Sequence, residues 1–136
     1  MPNPLERPPA PHATLRGSTT VFLVANLEAT ARWYEQLGFT AEVFPPGFAI
    51  LSRDDVDIFL QHADNYSRPD DPLAREREAW NLYIKTDDAR ALFEEYSCHA
   101  NVTVTRTPAI QPYGQLEFEV VDPNGYVLVF AQPTAV

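Results

Sequence analysis

Alternating apolar and polar residues near the end of the chain predict a β-hairpin. Leu116, Phe118 and Val120 alternate with polar neighbours, and a period of two is typical of a half-buried strand. Residues 122–125 read Asp-Pro-Asn-Gly, a turn sequence, because proline fixes φ at the first corner and asparagine and glycine tolerate left-handed φ. Residues 126–130 are aromatic, β-branched and apolar, which predicts the returning strand.

Similar patterns predict six further strands and two helices. Asn26 is a candidate N-cap for a helix over 27–37, and Gly38 is its expected end. Asp87 or Asp88 is expected to cap the second helix. The apolar face of the first helix is formed by Leu27, Ala31, Tyr34 and Leu37, and that of the second by Ala89, Leu92, Phe93 and Tyr96. The further strands are predicted at 19–25, 39–44, 48–52, 56–62, 80–85 and 102–107.

The order strand, helix, three strands occurs twice, which indicates an internal repeat of about 60 residues. We therefore predict one α+β domain over 19–132, built from two βαβββ modules at 19–62 and 80–132 that are joined by a linker at 63–79. The modules are expected to form a curved mixed sheet with the helices outside and a pocket on the concave side. The proline-rich segment 1–18 is predicted to be a flexible tail.

Length, net charge and cysteine content limit the classes of function that this chain can have. The chain has 136 residues, enough for one domain, and a formal net charge of −9, which argues against a nucleic-acid partner. No apolar run approaches the roughly 20 residues of a membrane span. The single cysteine, Cys98, allows no intrachain disulfide, and this fits a cytoplasmic location. The acidic charge either attracts cationic ligands or simply keeps the protein in solution.

Strand alternation selects the polar candidates for a binding site. Glu117 and Glu119 are expected to point away from the apolar face of their strand and into the concave side, where carboxylates favour an amine or guanidinium ligand. They are equally compatible with a solvated sheet surface. Gln61, Asn81 and Tyr83 are the other polar groups expected to face inward, and Tyr83 also fits a core position.

Three stretches carry a family resemblance. Residues 24–27 (Val-Ala-Asn-Leu), 33–39 (Trp-Tyr-Glu-Gln-Leu-Gly-Phe) and 122–126 (Asp-Pro-Asn-Gly-Tyr) resemble signatures of the vicinal-oxygen-chelate superfamily, the group of glyoxalases, bleomycin-resistance proteins and extradiol dioxygenases. The resemblance covers about residues 19–132 and implies the paired-module fold. That fold hosts several reactions, so the resemblance alone does not choose among them.

The resemblance also implies where the metal enzymes of the family hold their ligands. These positions would be Thr19 or Thr20, Phe59 or Gln61, Asn81, and Val129. Phenylalanine and valine cannot bind a metal, and threonine and asparagine are poor ligands for a divalent transition ion. The three histidines do not replace them: His12 lies in the tail, His62 should point away from Gln61, and His99 follows the second helix. We therefore expect no metal, no other cofactor and no catalytic residue.

The metal-free bleomycin-resistance branch is the closer match. Residues 48–49 (Phe-Ala), 57–60 (Asp-Ile-Phe-Leu) and 112–118 (Pro-Tyr-Gly-Gln-Leu-Glu-Phe) resemble stretches of that branch. The resemblance implies a homodimer in which Phe48 and the partner's Tyr113 sandwich the flat rings of a drug. The hypothesis is thus an antibiotic-resistance protein that binds and sequesters a planar, cationic small molecule. The expected ligand-binding residues are Phe48, Phe59, Gln61, Asn81, Tyr83, Tyr113, Glu117 and Glu119.

Two alternatives stay open. One is an enzyme of the same fold, of the lyase, isomerase or dioxygenase kind, that acts on a small metabolite. It would use either a metal with unusual ligands or a general base such as Glu117, Glu119 or Tyr113. The other is a binding protein whose ligand is an ordinary metabolite.

Overall fold

The computed structural model describes residues 13–135. Most of the predicted tail, including His12, lies outside the described residues. Residues 13–19 are exposed and have no regular secondary structure.

The first module has the predicted order of elements. Asn26 caps the helix, because its Oδ1 accepts the backbone N–H of Ala29 at 3.0 Å, and Gly38 follows the helix end with a φ of +86°. The elements are β1 (Thr20–Val24), α1 (Leu27–Gln36), β2 (Thr40–Phe44), β3 (Phe48–Arg53) and β4 (Val56–His62).

The linker contains one short helix, and the second module repeats the first. Of the two aspartates considered as caps, Asp88 accepts the backbone N–H of Ala91 at 3.0 Å. The elements are α2 (Pro72–Arg77), β5 (Leu82–Lys85), α3 (Ala89–Ser97), β6 (Val104–Ile110), β7 (Gln115–Val121) and β8 (Val127–Pro133).

Each module forms its own four-stranded mixed sheet, in the order β1-β4-β3-β2 and β5-β8-β7-β6. The first pairing of each sheet is parallel and the others are antiparallel. The α+β class and the two βαβββ modules are therefore confirmed. Within one chain, however, the strands make two separate sheets instead of one continuous curved sheet.

Strand β6 departs most from its predicted bounds. It begins two residues later than expected and extends through Pro108 to Ile110. Its pairing with β7 shifts register between Val104 and Arg106 and again between Arg106 and Ala109. Such irregularities accommodate a proline, which has no N–H to donate to the ladder.

The two modules meet through their helix-bearing faces and the 122–126 turn. The Tyr34 hydroxyl donates to Asp122 at 2.8 Å, the Tyr96 hydroxyl to the Leu37 carbonyl at 2.9 Å, and the Tyr126 hydroxyl to the Leu23 carbonyl at 2.7 Å. One apolar core runs through both modules. The opposite face of each sheet carries neither α1 nor α3, and we call it the helix-free face, although α2 borders that of the second sheet near Arg106 and Glu119. These two faces carry the candidate binding residues.

Candidate functional site

The helix-free face of the second sheet brings two tyrosines onto one carboxylate. The hydroxyl of Tyr83 donates to Oε2 of Glu117 at 2.5 Å, and the hydroxyl of Tyr113 donates to the same oxygen at 2.6 Å. Strand β7 places Glu117 on this face, because its neighbours Leu116 and Phe118 point into the core. Glu117 is only 7% exposed, so the phenols replace much of the water that a surface carboxylate would have.

Glu117 and Glu119 line the same cleft of about 410 Å³, together with Trp80, Arg106 and Val129. The two glutamates differ in their partners. Glu119 accepts a hydrogen bond from the Thr105 hydroxyl at 2.7 Å, and its other carboxylate oxygen lies 3.9 Å from Nε of Arg106. Glu117 forms no ion pair with any of residues 13–135. The cleft thus contains one carboxylate beside a cation and one held by two neutral donors alone among residues 13–135.

The two phenols stay protonated at neutral pH. Burial, reinforced by the hydrogen bond to Glu117 and its negative charge, raises the pKa of Tyr113 from 10.0 to about 12. The same causes, in the same order, raise the pKa of Tyr83 well above its ordinary value. Both hydroxyls are therefore donors under physiological conditions, and they hold the carboxylate of Glu117 in place.

Phe48, Phe59 and Gln61 lie on the helix-free face of the first sheet. Phe48 is paired with Gln61 across the β3–β4 ladder, and the rings of Phe48 and Phe59 are in edge contact with centroids 5.1 Å apart. Val21 and Leu23 of β1 pair with Phe59 and Gln61 and are 48% and 38% exposed. This face is therefore an exposed apolar and aromatic surface.

Asn81 is engaged with the backbone of its own sheet. Its side-chain Oδ1 accepts a hydrogen bond from the backbone N–H of Val127 at 2.9 Å. Its backbone N–H donates to the carbonyl of Val127 at the same distance. These bonds extend the β5–β8 ladder by one residue. Because the side-chain amide oxygen already accepts a hydrogen bond, Asn81 has fewer free hydrogen-bonding groups to offer a ligand than the sequence predicted.

The residues at the metal-ligand positions implied by the family do not fit a metal ion. Phe59 and Val129 present only hydrocarbon, and Oδ1 of Asn81 is bound to Val127. Within residues 13–135, no three or more His, Cys, Asp or Glu side chains converge as a possible metal site. The chemistry available at the cleft is hydrogen bonding, ion pairing, stacking and proton transfer by Glu117.

The sequence did not single out two residues, one that lines the cleft and one that joins the two modules. Trp80 lines the cleft and is 44% exposed, and the centroid of its ring lies 5.2 Å from that of Tyr83. The sequence signal was a large aromatic residue directly before a short strand. Asp122 was read as a turn residue and as part of a family signature, yet it is also buried and accepts hydrogen bonds from Tyr34, Asn124 and Tyr126.

The protein family follows from a match over most of the chain. Residues 16–130 match the model described as the Glyoxalase/Bleomycin resistance protein/Dioxygenase superfamily. The chain belongs to this superfamily, as the motifs around residues 24–39 and 122–126 indicated. No curated protein matches the chain significantly.

Solved structures show the same fold at low sequence identity. A bleomycin resistance determinant encoded on the transposon Tn5 is 23% identical with a TM-score of 0.71, over 89% of this chain and 100% of that chain. A bleomycin-binding protein from bleomycin-producing Streptomyces verticillus, complexed with copper(II)-bleomycin, is 23% identical with a TM-score of 0.66, over 92% and 99%. An integron cassette protein from V. cholerae is 21% identical with a TM-score of 0.64, over 89% and 97%.

None of the helices described is long and apolar enough to cross a membrane.

Proposed function

We propose that this protein binds and sequesters a planar, cationic small molecule of the bleomycin type, without a metal and without turnover. The observation that carries the proposal lies on the helix-free face of the second sheet. There Glu117, a buried carboxylate that pairs with no cation among residues 13–135, lies in a cleft beside aromatic rings. Aromatic rings favour flat ligands, and carboxylates favour cations.

The first sheet supplies the second aromatic surface. Phe48 and Phe59 lie on its helix-free face, whereas Tyr113 lies beside the second sheet. A homodimer that sets the first sheet of one subunit against the second sheet of the other would place Phe48 opposite the partner's Tyr113. The exposed apolar residues Val21 and Leu23 on the same face favour such an association.

The similarity to known proteins supports the same class of ligand. Solved structures of the same fold include a bleomycin resistance determinant and a protein complexed with copper(II)-bleomycin. The net charge of −9 favours association with a cationic drug. Glyoxalases and dioxygenases belong to the same superfamily, so the fold alone does not carry this proposal.

The direct test is calorimetric titration of the protein with metal-free bleomycin in the presence of a chelator. We expect saturable binding at one drug per subunit, and at least a tenfold loss of affinity in the double variant Phe48→Ala with Tyr113→Ala. Leu73→Ala, an exposed apolar truncation on α2, is the control and should bind like the native protein. The absence of binding heat and of thermal stabilisation would refute bleomycin as the ligand. Unchanged affinity in the double variant would refute the site.

Proton transfer without a metal is the second candidate function. Glu117 is a buried carboxylate inside a cleft and is held by two hydroxyls, an arrangement in which a carboxylate can act as a general base toward a small metabolite. Exchange of carbon-bound hydrogens of small ketones in deuterated water, followed by NMR, tests this activity. Exchange that is accelerated by the protein and lost in Glu117→Gln would favour the enzyme.

A further inference from the structure

We infer that Glu117 and Trp80 form, within a single chain, a binding site for one planar organic monocation such as an amidinium or a guanidinium. This inference rests on the proposed function, because it assumes that the cleft binds a small cation and names the charged group of that ligand. It requires neither a dimer nor bleomycin itself.

The first step is the state of the Glu117 carboxylate. Both phenolic donors bind Oε2, and Oε1 receives no hydrogen bond from any of residues 13–135. Burying a carboxylate is costly unless a cation or several donors compensate it. Oε1 is not among the fully buried atoms that lack a partner, so it is accessible from the cleft and can accept from a ligand N–H.

The second step is the difference in partners between the two glutamates of the cleft. Glu119 is already bound by the Thr105 hydroxyl and lies within ion-pairing distance of Arg106. Arg106 also pairs with Glu78 of the linker, so its direct ion pairs are with two carboxylates other than Glu117. A positively charged ligand thus gains more from Glu117 than from Glu119, and the site is matched to one positive charge.

The third step is the aromatic wall. Trp80 lines the same cleft and is the more exposed of the two tryptophans in the chain, since Trp33 is buried. An indole ring attracts a cation over its face and stacks well with a flat group. A cleft of about 410 Å³ is large enough for one ring with its charged substituent.

Benzamidine and benzamide make a matched pair of probes, because they have the same flat shape and only benzamidine is charged at neutral pH. We expect benzamidine to bind the native protein at one molecule per chain with a Kd of about 1 mM, a reasonable value for so small a ligand. Benzamide should bind at least tenfold more weakly. Titration followed by NMR chemical shifts gives both affinities, and quenching of tryptophan fluorescence that is lost in Trp80→Leu reports the location.

Variants then assign the counter-ion. Glu117→Gln should weaken benzamidine binding at least tenfold, because it removes the charge and keeps the shape of the side chain. Glu94→Gln, an equal change of charge at an exposed position of α3, is the control and should leave the affinity within twofold of native. Trp80→Leu should weaken binding severalfold while circular dichroism shows a native fold.

Equal binding of benzamidine and benzamide to the native protein would overturn the inference, and so would a native-like affinity in Glu117→Gln. The result is separable from the proposed function. Bleomycin binding without selectivity for benzamidine would refute only the monocation site. Selective benzamidine binding without any affinity for bleomycin would refute only the bleomycin proposal.

Discussion

At the scale of single residues, alternation along a strand predicts which face a side chain occupies but not what it meets there. The sequence correctly placed Glu117 on the face opposite Phe118, since β7 is regular. It could not reveal that Tyr83 and Tyr113 converge on Glu117, because that contact depends on the β5–β8 and β7–β8 registers and on the loop before β7. The engagement of Asn81 with Val127 depends on register in the same way.

Asp122 illustrates a buried residue whose local sequence suggests only a turn. We expect Tyr34→Phe to lower the free energy of unfolding by about 1.5–3 kcal/mol, because it removes a hydroxyl that donates to a buried carboxylate. Urea denaturation of Tyr34→Phe, Asp122→Asn and the double variant gives the coupling between the two side chains. Strictly additive effects would show that the hydrogen bond does not stabilise the fold.

The same carboxylate gives a prediction for the effect of pH. Burial raises the pKa of Asp122 above its ordinary 3.8, although hydrogen bonds from Tyr126, Tyr34 and Asn124 oppose the rise. The folded protein therefore holds this proton at pH values where the unfolded chain has lost it. The stabilisation is fully present below pH 3.8 and is lost as pH rises through the folded-state pKa.

Comparison with Asp122→Asn isolates this contribution, because the other carboxylates titrate in both proteins. The stability of the native protein relative to the variant should fall as pH rises from 3.8, and then level off above the folded-state pKa. Urea denaturation at a series of pH values measures it. A relative stability that rises with pH would mean that the hydrogen bonds outweigh burial.

At the scale of elements, helix ends and turns were the most predictable features. Asn26, Gly38 and the 122–125 turn act through local geometry, so their sequence is sufficient to place them. Strand β6 was less predictable, since Pro108 suggested a loop and the register shifts that accommodate it depend on the neighbouring strand β7. Sequence motifs therefore predict an element well when its conformation depends on neighbouring residues in the chain, and poorly when it depends on pairing with a distant strand.

The cap of α1 can be tested by a matched pair of substitutions. Asn26→Ala removes the acceptor for the Ala29 N–H and should lower the free energy of unfolding by about 1 kcal/mol. Asn26→Asp keeps an acceptor at the helix start and should be nearly neutral. Thermal denaturation compares the two, and an equal loss in both variants would argue against a capping role.

At the scale of the whole molecule, the repeat in the sequence predicted both modules, but not how they are arranged. That arrangement depends on long-range contacts such as those of Tyr34, Tyr96 and Tyr126, which have no local signature. The outcome is one core shared by both modules and two helix-free faces, one apolar and one acidic. A single chain therefore presents two surfaces of different character, and both carry aromatic rings, Phe48 and Phe59 on the first and Trp80 and Tyr83 on the second.

If the apolar face is the contact between subunits, a charge placed there should dissociate the dimer. We expect Val21→Glu to convert the protein to a monomer in sedimentation experiments, since a buried unpaired carboxylate at an interface is costly. Leu73→Glu introduces the same charge at an exposed apolar position on α2 and should leave the dimer intact. A native-like dimer in Val21→Glu would locate the interface elsewhere.

The linker has a consequence for how the chain can be divided. Helix α2 contains no buried residue, while each module keeps its own sheet and contributes to the shared core. Residues 63–79 nevertheless contact the second module, through the Arg68 guanidinium over the ring of Tyr126 and through the Glu78–Arg106 ion pair, so the linker belongs structurally with that module. Two separately expressed fragments, divided at the start of this linker, should reassemble on mixing. The fold therefore offers a split protein in which native structure forms only when both fragments are present.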